Sequence, residues 1–384
     1  MTKKLKVAVG MSGGVDSGVS AKLLVDAGYD VAGVHLHFWA EHDPYLSREN
    51  KCCSTESLMA ARKTCDMLGI PFYTFNFEDI FKETVVEYFL AEFKALRTPN
   101  PCVVCNRKIK TGRLVKYVQG LGFDMLATGH YINVAQQNGD GYDVLGYEDM
   151  ERRSQILEDF PNHPDLFLKM GNDDKKDQSY FLYTMKQEDL VRLVFPLGNM
   201  VKDDVRRLAN EWKLPVATSK ESFDICFIPG DNYRDFLQRH MPEWIIPGDV
   251  VDTEGSVIGA HQGLPFYAVG QRRGFTTNKI VPYYVVGFDK DKNHLIVGKS
   301  AQTERSTFSL HSSTFASDVV TGDVACQVRL RHMGGFTEGV VARSGDSVLV
   351  TLKDGQRGVS PGQSAVFYRD RVLLGGGVID TVLH

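Results

Sequence analysis

The sequence lacks a long hydrophobic run: no apolar stretch among its 384 residues approaches the roughly 18 that a membrane-spanning helix needs. The first ten residues carry the positive charges of a signal peptide, but their apolar stretch is short and runs directly into glycines. These features argue against a membrane protein and against a secreted one. We therefore expect a cytoplasmic protein with no membrane partner.

Cysteine is sparse, and its count of seven is odd. A secreted domain held by disulfides would carry paired cysteines in a short chain, so these thiols are expected to be free, metal-bound or reactive.

The sequence also lacks a dominant charge, because it has 44 basic and 48 acidic residues, which gives a net charge of −4. A polyanionic partner such as a nucleic acid would therefore have to bind at local basic patches.

Apolar strands and helical patterns alternate in the first half of the chain. The predicted strands are 6–10, 30–38, 71–75 and 124–128, and the predicted helices are 17–27, 54–68 and 78–96. This alternation indicates a doubly wound α/β domain, with a parallel sheet that binds ligands at the carboxyl ends of its strands. We predict that residues 1–230 form this catalytic domain. The pattern weakens between about 140 and 176, where we expect an irregular excursion.

Two smaller units are predicted after the first domain. Residues 231–297 are dense in proline, glycine and aromatic side chains, which indicates a small central domain. Residues 298–384 contain short apolar strands, at 324–331, 347–352 and 364–368, separated by glycine and aspartate turns. Such a series favours a small closed β-barrel.

A glycine-rich loop, Gly10-Met-Ser-Gly-Gly-Val-Asp-Ser-Gly18, follows the first strand and opens the first helix. Its glycines let successive N–H groups point at one anion, and the helix N-terminus adds partial positive charge. Ser12 and Ser17 can donate hydrogen bonds to a phosphate, and Asp16 could hold Mg²⁺ against it. The loop lacks the Gly-Lys-Ser/Thr ending of a Walker A loop and the spacing of the dinucleotide fingerprint.

Ser12-Gly-Gly-Val-Asp-Ser17 resembles the loop of the PP-loop ATP pyrophosphatases, which split ATP into AMP and pyrophosphate in order to adenylate a substrate. The resemblance implies a PP-loop fold, with ATP and Mg²⁺ as cofactors. This group includes GMP, NAD, asparagine and argininosuccinate synthetases and several tRNA sulfur-transfer enzymes. The loop alone does not choose among them.

Two cysteines, Cys102 and Cys105, are spaced three residues apart at the start of a predicted helix. Asn100 suits the N-cap and Pro101 the first helical position, so both thiols are expected on one face of the first turns. The helix N-terminus and the nearby cations Arg107 and Lys108 would raise the thiolate fraction. The same two cations, together with Lys110 and Arg113, could also bind a phosphate backbone. The alternatives are two packed apolar cysteines or half a zinc site, although a second Cys-x-x-Cys or a histidine pair is missing.

Further motifs, taken in order, resemble those of the tRNA-specific 2-thiouridylase family from one end of the chain to the other. They are Arg97-Thr-Pro-Asn-Pro-Cys-Val-Val-Cys-Asn106, Ala127-Thr-Gly-His-Tyr131, Lys176-Asp-Gln-Ser-Tyr-Phe-Leu182, Asp224-Ile-Cys-Phe-Ile228, Gln262-Gly-Leu-Pro-Phe-Tyr267, Gly270-Gln-Arg-Arg-Gly274 and Ser360-Pro-Gly-Gln-Ser-Ala-Val-Phe-Tyr368. The resemblance implies an ATP-dependent sulfurtransferase that makes 2-thiouridine in tRNA, at the wobble position. It also implies two partners: tRNA, contacted by the barrel, and an upstream persulfide donor, either a cysteine desulfurase or a sulfur-relay protein.

The resemblance also implies roles for single residues. Cys105 matches the catalytic cysteine, and Cys226 matches the distant cysteine that carries the persulfide; the two are implied to form a transient disulfide. The residues matching nucleotide contacts are Gly10, Met11, Ser12, Gly13, Gly14, Val15, Asp16, Ser17, Leu36 and Gly129. The residues matching contacts with the target base or the rest of the tRNA are Asn100, Pro101, Cys102, His130, Lys176, Asp177, Gln178, Arg331, His332 and Gln363.

The route of the sulfur stays open between two mechanisms. Either a persulfide on Cys226 is released with the help of Cys105, leaving a disulfide, or Cys102, Cys105 and Cys226 hold an iron–sulfur cluster that binds the extra sulfide. Two departures from the family bear on this reading. Some members have an aspartate where this chain has Cys102, and the stretch 147–169 is longer than in compact members.

Three other functions remain as alternatives: a different adenylating PP-loop synthetase, an RNA-binding translation-associated protein, and a thiol–disulfide oxidoreductase that works without ATP.

The remaining cysteines and three histidines are expected to be structural, and one group of aromatic side chains is expected to belong to the core of the central domain. These residues are Cys52, Cys53, Cys65, Cys326, His35, His37 and His261, and the aromatic group is Trp244, Phe266 and Tyr267.

Overall fold

The structure is a computed structural model of the full chain. It describes residues 4–41, 54–139, 141–162, 165–219, 225–228, 232–278, 281–316 and 322–383. Cys52, Cys53, Asp224 and the predicted domain boundary after residue 230 lie outside the described residues. None of the helices in the described part of the chain has the length and apolar character needed to span a bilayer.

The first domain is built on a parallel sheet. In chain order its elements are β1 (Lys6–Gly10), α1 (Val15–Asp26), β2 (Asp30–His37), α2 (Thr55–Leu68), β3 (Phe72–Asn76), α3 (Glu78–Phe81), α4 (Glu87–Lys94), α5 (Pro101–Cys105), α6 (Leu114–Gly120), β4 (Met125–Ala127), β5 (Ile132–Asn138), β6 (Gly141–Val144), α7 (Met150–Asp159), β7 (Leu166–Met170), α8 (Gln187–Leu190), β8 (Leu193–Val194) and α9 (Lys202–Glu211). Among the described residues, five parallel strands pair in the order β3-β2-β1-β4-β8. The predicted α/β sheet is confirmed.

Wide π-helical turns join two pairs of helices: Lys82–Val86 connects α3 to α4, and Asn106–Arg113 connects α5 to α6. In the second turn the Thr111 hydroxyl donates to the carbonyl of Asn106 at 2.7 Å. A Cβ at Gly112 would lie 2.3 Å from the Arg107 carbonyl oxygen, so the turn needs glycine there. The predicted helix after Pro101 therefore forms, with its widened part directly behind Cys105.

The described residues between 141 and 176 include regular elements, so the prediction of an irregular excursion is wrong. They contribute β6, α7 and β7, and α7 is anchored by Arg153, which is buried. The Arg153 guanidinium donates to the carbonyls of Leu145, Gly146 and Leu193 at 2.7, 2.9 and 3.1 Å. Burial lowers its pKa to about 10. This anchor depends on tertiary contacts, which explains why the local sequence pattern missed it.

The central domain contains a second sheet. Its elements are α10 (Tyr233–His240), β9 (Gly248–Val251), β10 (Val257–His261), β11 (Thr276–Thr277), β12 (Tyr284–Asp289) and β13 (His294–Gly298), and the described strands pair in the order β11-β10-β9-β13-β12. Phe266 and Tyr267 are buried, as predicted. Trp244 is 38% exposed, and the ammonium groups of Lys94 and Lys290 lie 5.7 and 5.6 Å from its ring centroid. The prediction that Trp244 belongs to the core is wrong.

The C-terminal domain is a closed antiparallel barrel. Its strands are β14 (Glu304–Phe315), β15 (Asp323–Arg329), β16 (Thr337–Ser344), β17 (Ser347–Arg357), β18 (Ser364–Arg369) and β19 (Val372–Leu383). In the described part of the chain they pair in the order β14-β17-β16-β15-β18-β19, and pairing of β14 with β19 closes the barrel, which confirms the prediction. The sheet of the barrel continues into the first domain, because Val372 of β19 pairs with Lys169 of β7.

Candidate active site

The glycine-rich loop is tied to the carboxyl end of the parallel sheet. The Met11 N–H donates to the Val34 carbonyl at 2.7 Å, and the His35 ring donates through Nδ1 to the Met11 carbonyl at 2.8 Å. His35 is buried, and burial lowers its pKa, so the ring is neutral at physiological pH. These bonds fix the start of the loop and give His35 the structural role that was predicted.

Internal hydrogen bonds curl the loop onto the first turn of α1. The Ser17 hydroxyl donates to the Gly14 carbonyl at 3.0 Å and accepts from the Ser12 N–H at 3.2 Å. Gly13 has φ of +77°, and a Cβ there would lie 2.2 Å from the Ser57 carbonyl oxygen. The loop therefore requires glycine at 13, both for its left-handed backbone and for close packing against α2.

The other predicted nucleotide residues lie at neighbouring strand ends. Leu36 is near the end of β2, and Gly129 follows β4. A Cβ at Gly129 would lie 3.0 Å from the Cβ of Asp16 and 3.1 Å from the Ser17 nitrogen, so the chain after β4 packs directly on the loop. The carboxyl ends of parallel strands form the usual ligand edge of such a sheet, and these residues share that edge.

Asp16 is the most strongly engaged side chain of the loop. Its Oδ1 and Oδ2 lie 2.7 and 2.8 Å from the Nζ of Lys202, and its Oδ1 accepts from the Tyr131 hydroxyl at 2.7 Å. The Lys202 side chain is 9% exposed and that of Asp16 is 34% exposed. Sequence reasoning missed Lys202. The sequence gives one indication of its role. Lys202 is the first residue of α9, where a positive charge interacts unfavourably with the helix dipole, so a lysine at this position suggests a tertiary partner.

The thiol-bearing helix begins as predicted. The Asn100 side chain accepts from the Val103 N–H at 3.4 Å, and Pro101 takes the first helical position. The two thiols differ in environment, because Cys102 is exposed whereas Cys105 is buried. Cys105 is therefore the thiol that faces the interior of the protein.

Cys105 and Cys226, far apart in sequence, pack in one apolar cluster. Cys105 is a buried member of the cluster and Cys226 is a partly buried one, alongside Phe81, Phe89 and Phe227. Neither cysteine is in a disulfide. Leu36, near the carboxyl end of β2, also packs against this cluster.

The described residues contain no group of three or more histidine, cysteine, aspartate or glutamate side chains placed to hold a metal ion. Cys102, Cys105 and Cys226 thus provide no ready-made three-ligand set for an iron–sulfur cluster. Mg²⁺ makes a smaller demand, because it is commonly bound by one or two carboxylates together with substrate phosphates. The partly exposed carboxylate of Asp16 fits that requirement.

The segment before the thiol helix is docked on the C-terminal barrel. The Thr98 hydroxyl lies 2.8 Å from that of Ser360, and its N–H donates to the Pro361 carbonyl at 2.8 Å. The predicted tRNA residue Gln363 donates to the Thr98 carbonyl at 3.3 Å. A Cβ at Gly362 would lie 2.7 Å from that same oxygen, so the two segments are in close contact.

Arg97 is the centre of this junction. Its Nε donates to Glu92 at 3.0 Å, and its Nη1 lies 3.2 Å from Asp380. Its Nη2 lies 2.8 Å from the Nε2 of His311 and donates to the Ile379 carbonyl at 3.1 Å. One guanidinium therefore ties the end of α4 to two strands of the barrel, three residues before Asn100.

Asp177, predicted to contact tRNA, is fully buried. It accepts from the N–H groups of Gly171 and Ser179, both at 3.2 Å, and from the Ser179 hydroxyl at 2.8 Å. Arg329 of the barrel donates to it at 3.0 Å. The carboxylate is thus turned into the junction of the two domains, and a direct RNA contact would require this network to open.

The other predicted tRNA residues surround the same junction. Gln178 pairs with Tyr131 through its backbone N–H and its side-chain carbonyl, at 3.2 and 3.1 Å. His332 is half-buried with its ring centroid 4.5 Å from that of Phe181. The placements of the remaining two differ: Lys176 is half-buried and Arg331 is exposed.

His130 follows Gly129 just beyond the carboxyl end of β4. Its Nδ1 lies 2.7 Å from the Thr128 hydroxyl, and its ring meets Phe195 edge-on with centroids 6.1 Å apart. Burial, with a smaller contribution from the charge of Lys110, lowers the pKa of His130 to about 3. The imidazole is therefore neutral throughout the physiological range and can recognise a ligand only by hydrogen bonding or packing.

A PP-loop at the carboxyl end of a five-stranded parallel sheet, followed by a small β-domain and a closed barrel, defines a PP-loop nucleotide-binding protein. Three family models match in succession: "tRNA methyl transferase HUP domain" over residues 5–230, "tRNA methyl transferase PRC-barrel domain" over 234–299 and "Aminomethyltransferase beta-barrel domain" over 305–379.

Curated relatives match over nearly the whole chain. A tRNA-specific 2-thiouridylase MnmA from Chloroflexus aurantiacus is 41% identical over 97% of this chain and 98% of its own. That from Chloroflexus aggregans is 42% identical with the same coverage. That from Clostridium perfringens is 36% identical over the full length of both. The chain belongs to the family of tRNA-specific 2-thiouridylases.

Proposed function

We propose that this chain is an ATP-dependent tRNA sulfurtransferase that converts the wobble uridine to 2-thiouridine in the cytoplasm. Family membership over nearly the full length supports the activity. The observation that supports the chemistry is that Cys105 and Cys226, far apart in sequence, both belong to one apolar cluster, against which Leu36 also packs.

The first step is adenylation of the base. The uridine O2 oxygen attacks the α-phosphorus of ATP, pyrophosphate leaves, and O2 becomes part of a phosphate ester that can later depart as AMP. The loop residues from Gly10 to Ser17 would hold the phosphates with backbone N–H groups and hydroxyls. Mg²⁺, if held by Asp16, would neutralise phosphate charge.

The second step transfers sulfur. Cys226 carries the persulfide, Cys226–S–SH, and its terminal sulfur becomes bonded to C2 as AMP leaves. The Cys105 thiolate attacks the inner sulfur and supplies the electron pair that breaks the S–S bond. The products are 2-thiouridine, AMP and a Cys105–Cys226 disulfide, which a thiol reductant must reduce before the next turnover. A persulfide donor then reloads Cys226.

The tRNA would approach along the junction between the first domain and the barrel. Exposed Arg331 and half-buried Lys176 supply cations there, and Asn100 begins the thiol helix beside the same junction. The target uridine must leave its stack to reach the thiols, as for other enzymes that modify bases. Buried Asp177 would position this surface rather than touch RNA.

The test replaces Cys105 or Cys226 with serine and measures labelled sulfur in tRNA together with pyrophosphate release. Each variant should lose sulfur transfer by at least about 100-fold while still releasing pyrophosphate in the presence of tRNA, because adenylation does not need the thiols. Cys326→Ser, a half-buried barrel thiol, is the matched control and should keep full activity. Full thiolation by both Cys105→Ser and Cys226→Ser would contradict the proposed roles.

An iron assay on anaerobically purified, active protein distinguishes the two sulfur routes. Thiolation by iron-free protein loaded with persulfide supports the mechanism above. Activity that requires stoichiometric iron would instead assign the cysteines to a cluster.

A further inference from the structure

We propose that the wide turn after the thiol helix binds the phosphate backbone of the tRNA close to the target uridine, through Arg107, Lys108 and Arg113. This inference rests on the proposed use of tRNA as the substrate. The turn, Asn106–Arg113, begins directly after Cys105. All three side chains that we assign to phosphate binding are exposed.

The sequence around this turn contains no acidic residue. Between Glu92 and Asp124 the chain has three arginines and four lysines but neither aspartate nor glutamate, although acidic residues outnumber basic ones in the whole chain. The basic residues of this stretch are Lys94, Arg97, Arg107, Lys108, Lys110, Arg113 and Lys116. A local basic patch on a chain with a net charge of −4 is the electrostatic feature expected of a polyanion site.

The exposed cations of the turn differ from an ordinary solvated face, in which charges of both signs are mixed. On the barrel, for example, exposed Lys353 binds Glu338 at 3.0 Å. In the described part of the chain, Arg107, Lys108 and Arg113 form no ion pair of this kind. The turn therefore presents positive charge alone, which favours an anionic partner over solvent exposure as its role.

The π-helical geometry brings two of these cations to the same side of the helix. Backbone hydrogen bonds in such a turn join residue i to residue i+5, so Lys108 and Arg113 lie one above the other, whereas the same spacing in an α-helix would separate them. A Cβ at Gly112 would lie 2.3 Å from the Arg107 carbonyl oxygen, so glycine permits the wide turn. Single wide turns within helices are frequent at functional sites.

The turn is held against the segment that leads to the barrel. The Thr111 hydroxyl lies 2.7 Å from the Sδ of Met185. Burial raises the pKa of Tyr183, and a hydrogen bond to Ser364 of the barrel and the charge of Arg107 act against this effect. Arg107 is therefore near the junction of the first domain and the barrel, along which the tRNA is proposed to approach.

The experiment measures the affinity for a tRNA transcript with uridine at the wobble position, by fluorescence anisotropy in KCl between about 50 and 200 mM. Each lost phosphate contact should make the slope of log K against log [salt] shallower by about 0.7 to 0.9, because one fewer cation displaces counterions from the RNA. Arg107→Gln/Lys108→Gln should therefore make the slope shallower by about 1.5 to 2 and lower the affinity at least about 10-fold. Arg113→Gln alone should make it shallower by about 1.

Arg62→Gln/Lys63→Gln is the matched control, because Arg62 and Lys63 are also adjacent and exposed, on α2. It removes the same two charges and should leave the slope unchanged. A slope that is unchanged in Arg107→Gln/Lys108→Gln, or that becomes equally shallow in the control, would overturn the proposal. Failure of the unaltered protein to bind tRNA would overturn the proposed function itself, and this inference with it.

Discussion

The carboxylate of Asp177 and the guanidinium of Arg329 form an ion pair, 3.0 Å apart, buried between the first domain and the barrel. The Asp177 side chain has no exposure and that of Arg329 has 9%. The ring of Phe336 covers the guanidinium, with a distance of 4.2 Å to its centroid. Buried charges of this kind hold only while both partners are present.

Asp177→Asn should therefore lower the free energy of unfolding by about 3–5 kcal/mol, because it leaves the Arg329 charge buried without its counter-ion. Urea denaturation measures the change. The control is the Glu338–Lys353 pair of the same barrel, which has the same 3.0 Å separation but side chains 70% and 68% exposed. Glu338→Gln should leave the free energy of unfolding almost unchanged, because water and salt screen an exposed pair. Equal effects of the two substitutions would argue against the junction as a stabilising contact.

Arg97→Lys should lower the rate of thiolation about 10-fold and leave ATP affinity unchanged. Lysine keeps the charge but loses the planar fork that reaches Glu92, Asp380 and the Ile379 carbonyl at once, so the segment leading to Asn100 loses its fixed position. Single-turnover sulfur transfer and calorimetry with ATP measure the two quantities.

Arg305→Lys provides the control for Arg97. Among the described residues, the Arg305 side chain donates to two carbonyls of its own segment, those of Gln302 and Glu304, so its replacement should change neither quantity. A loss of ATP affinity in Arg97→Lys, equal to the loss in rate, would show a general disturbance of the domain rather than misplacement of the thiol helix.

Because of the lowered pKa of His130, the free energy of unfolding should be smaller in mild acid than at neutral pH. Its folded pKa of about 3 lies below the value of about 6.5 in an unfolded chain, so the unfolded state binds more protons between these values. Stability is therefore complete above about pH 6.5 and falls as pH decreases, by up to about 1.4 kcal/mol per pH unit.

The measurement compares the unaltered protein with His130→Asn by urea denaturation at pH 5.5 and 7.5. The variant should show the smaller decrease at pH 5.5. His35, His261 and His332, whose pKa values burial also lowers, are common to both proteins, so their contributions cancel in the difference. Identical pH dependence in the two proteins would contradict the assignment.

Those parts of the site that depend on residues close together in the sequence could be predicted. The Ser12–Ser17 loop and the Asn100-Pro101 cap are short segments whose backbone bonds are specified by their own residues, and both form as predicted. The closed barrel was predictable as well, because its short strands and turns follow one another directly.

Contacts between distant segments were not predictable in the same way. The partners Asp16 and Lys202 are 186 positions apart and Asp177 and Arg329 are 152 positions apart. Sequence spacing carries no information on such pairs. The exposure of Trp244 and the burial of Arg153 were missed for the same reason, since each depends on neighbours from other elements.

The docking of Thr98 on Ser360 and Pro361 has a consequence for synthesis of the protein. The residues that steady the thiol helix are separated from it by more than 250 positions, so they are synthesised well after it. Domains generally begin to fold from the N-terminus as they emerge, so the nucleotide sheet can assemble early. A nascent chain whose barrel has not yet been made would then present reactive cysteines that are not yet aligned for chemistry, and sulfur transfer would begin only after the barrel has folded.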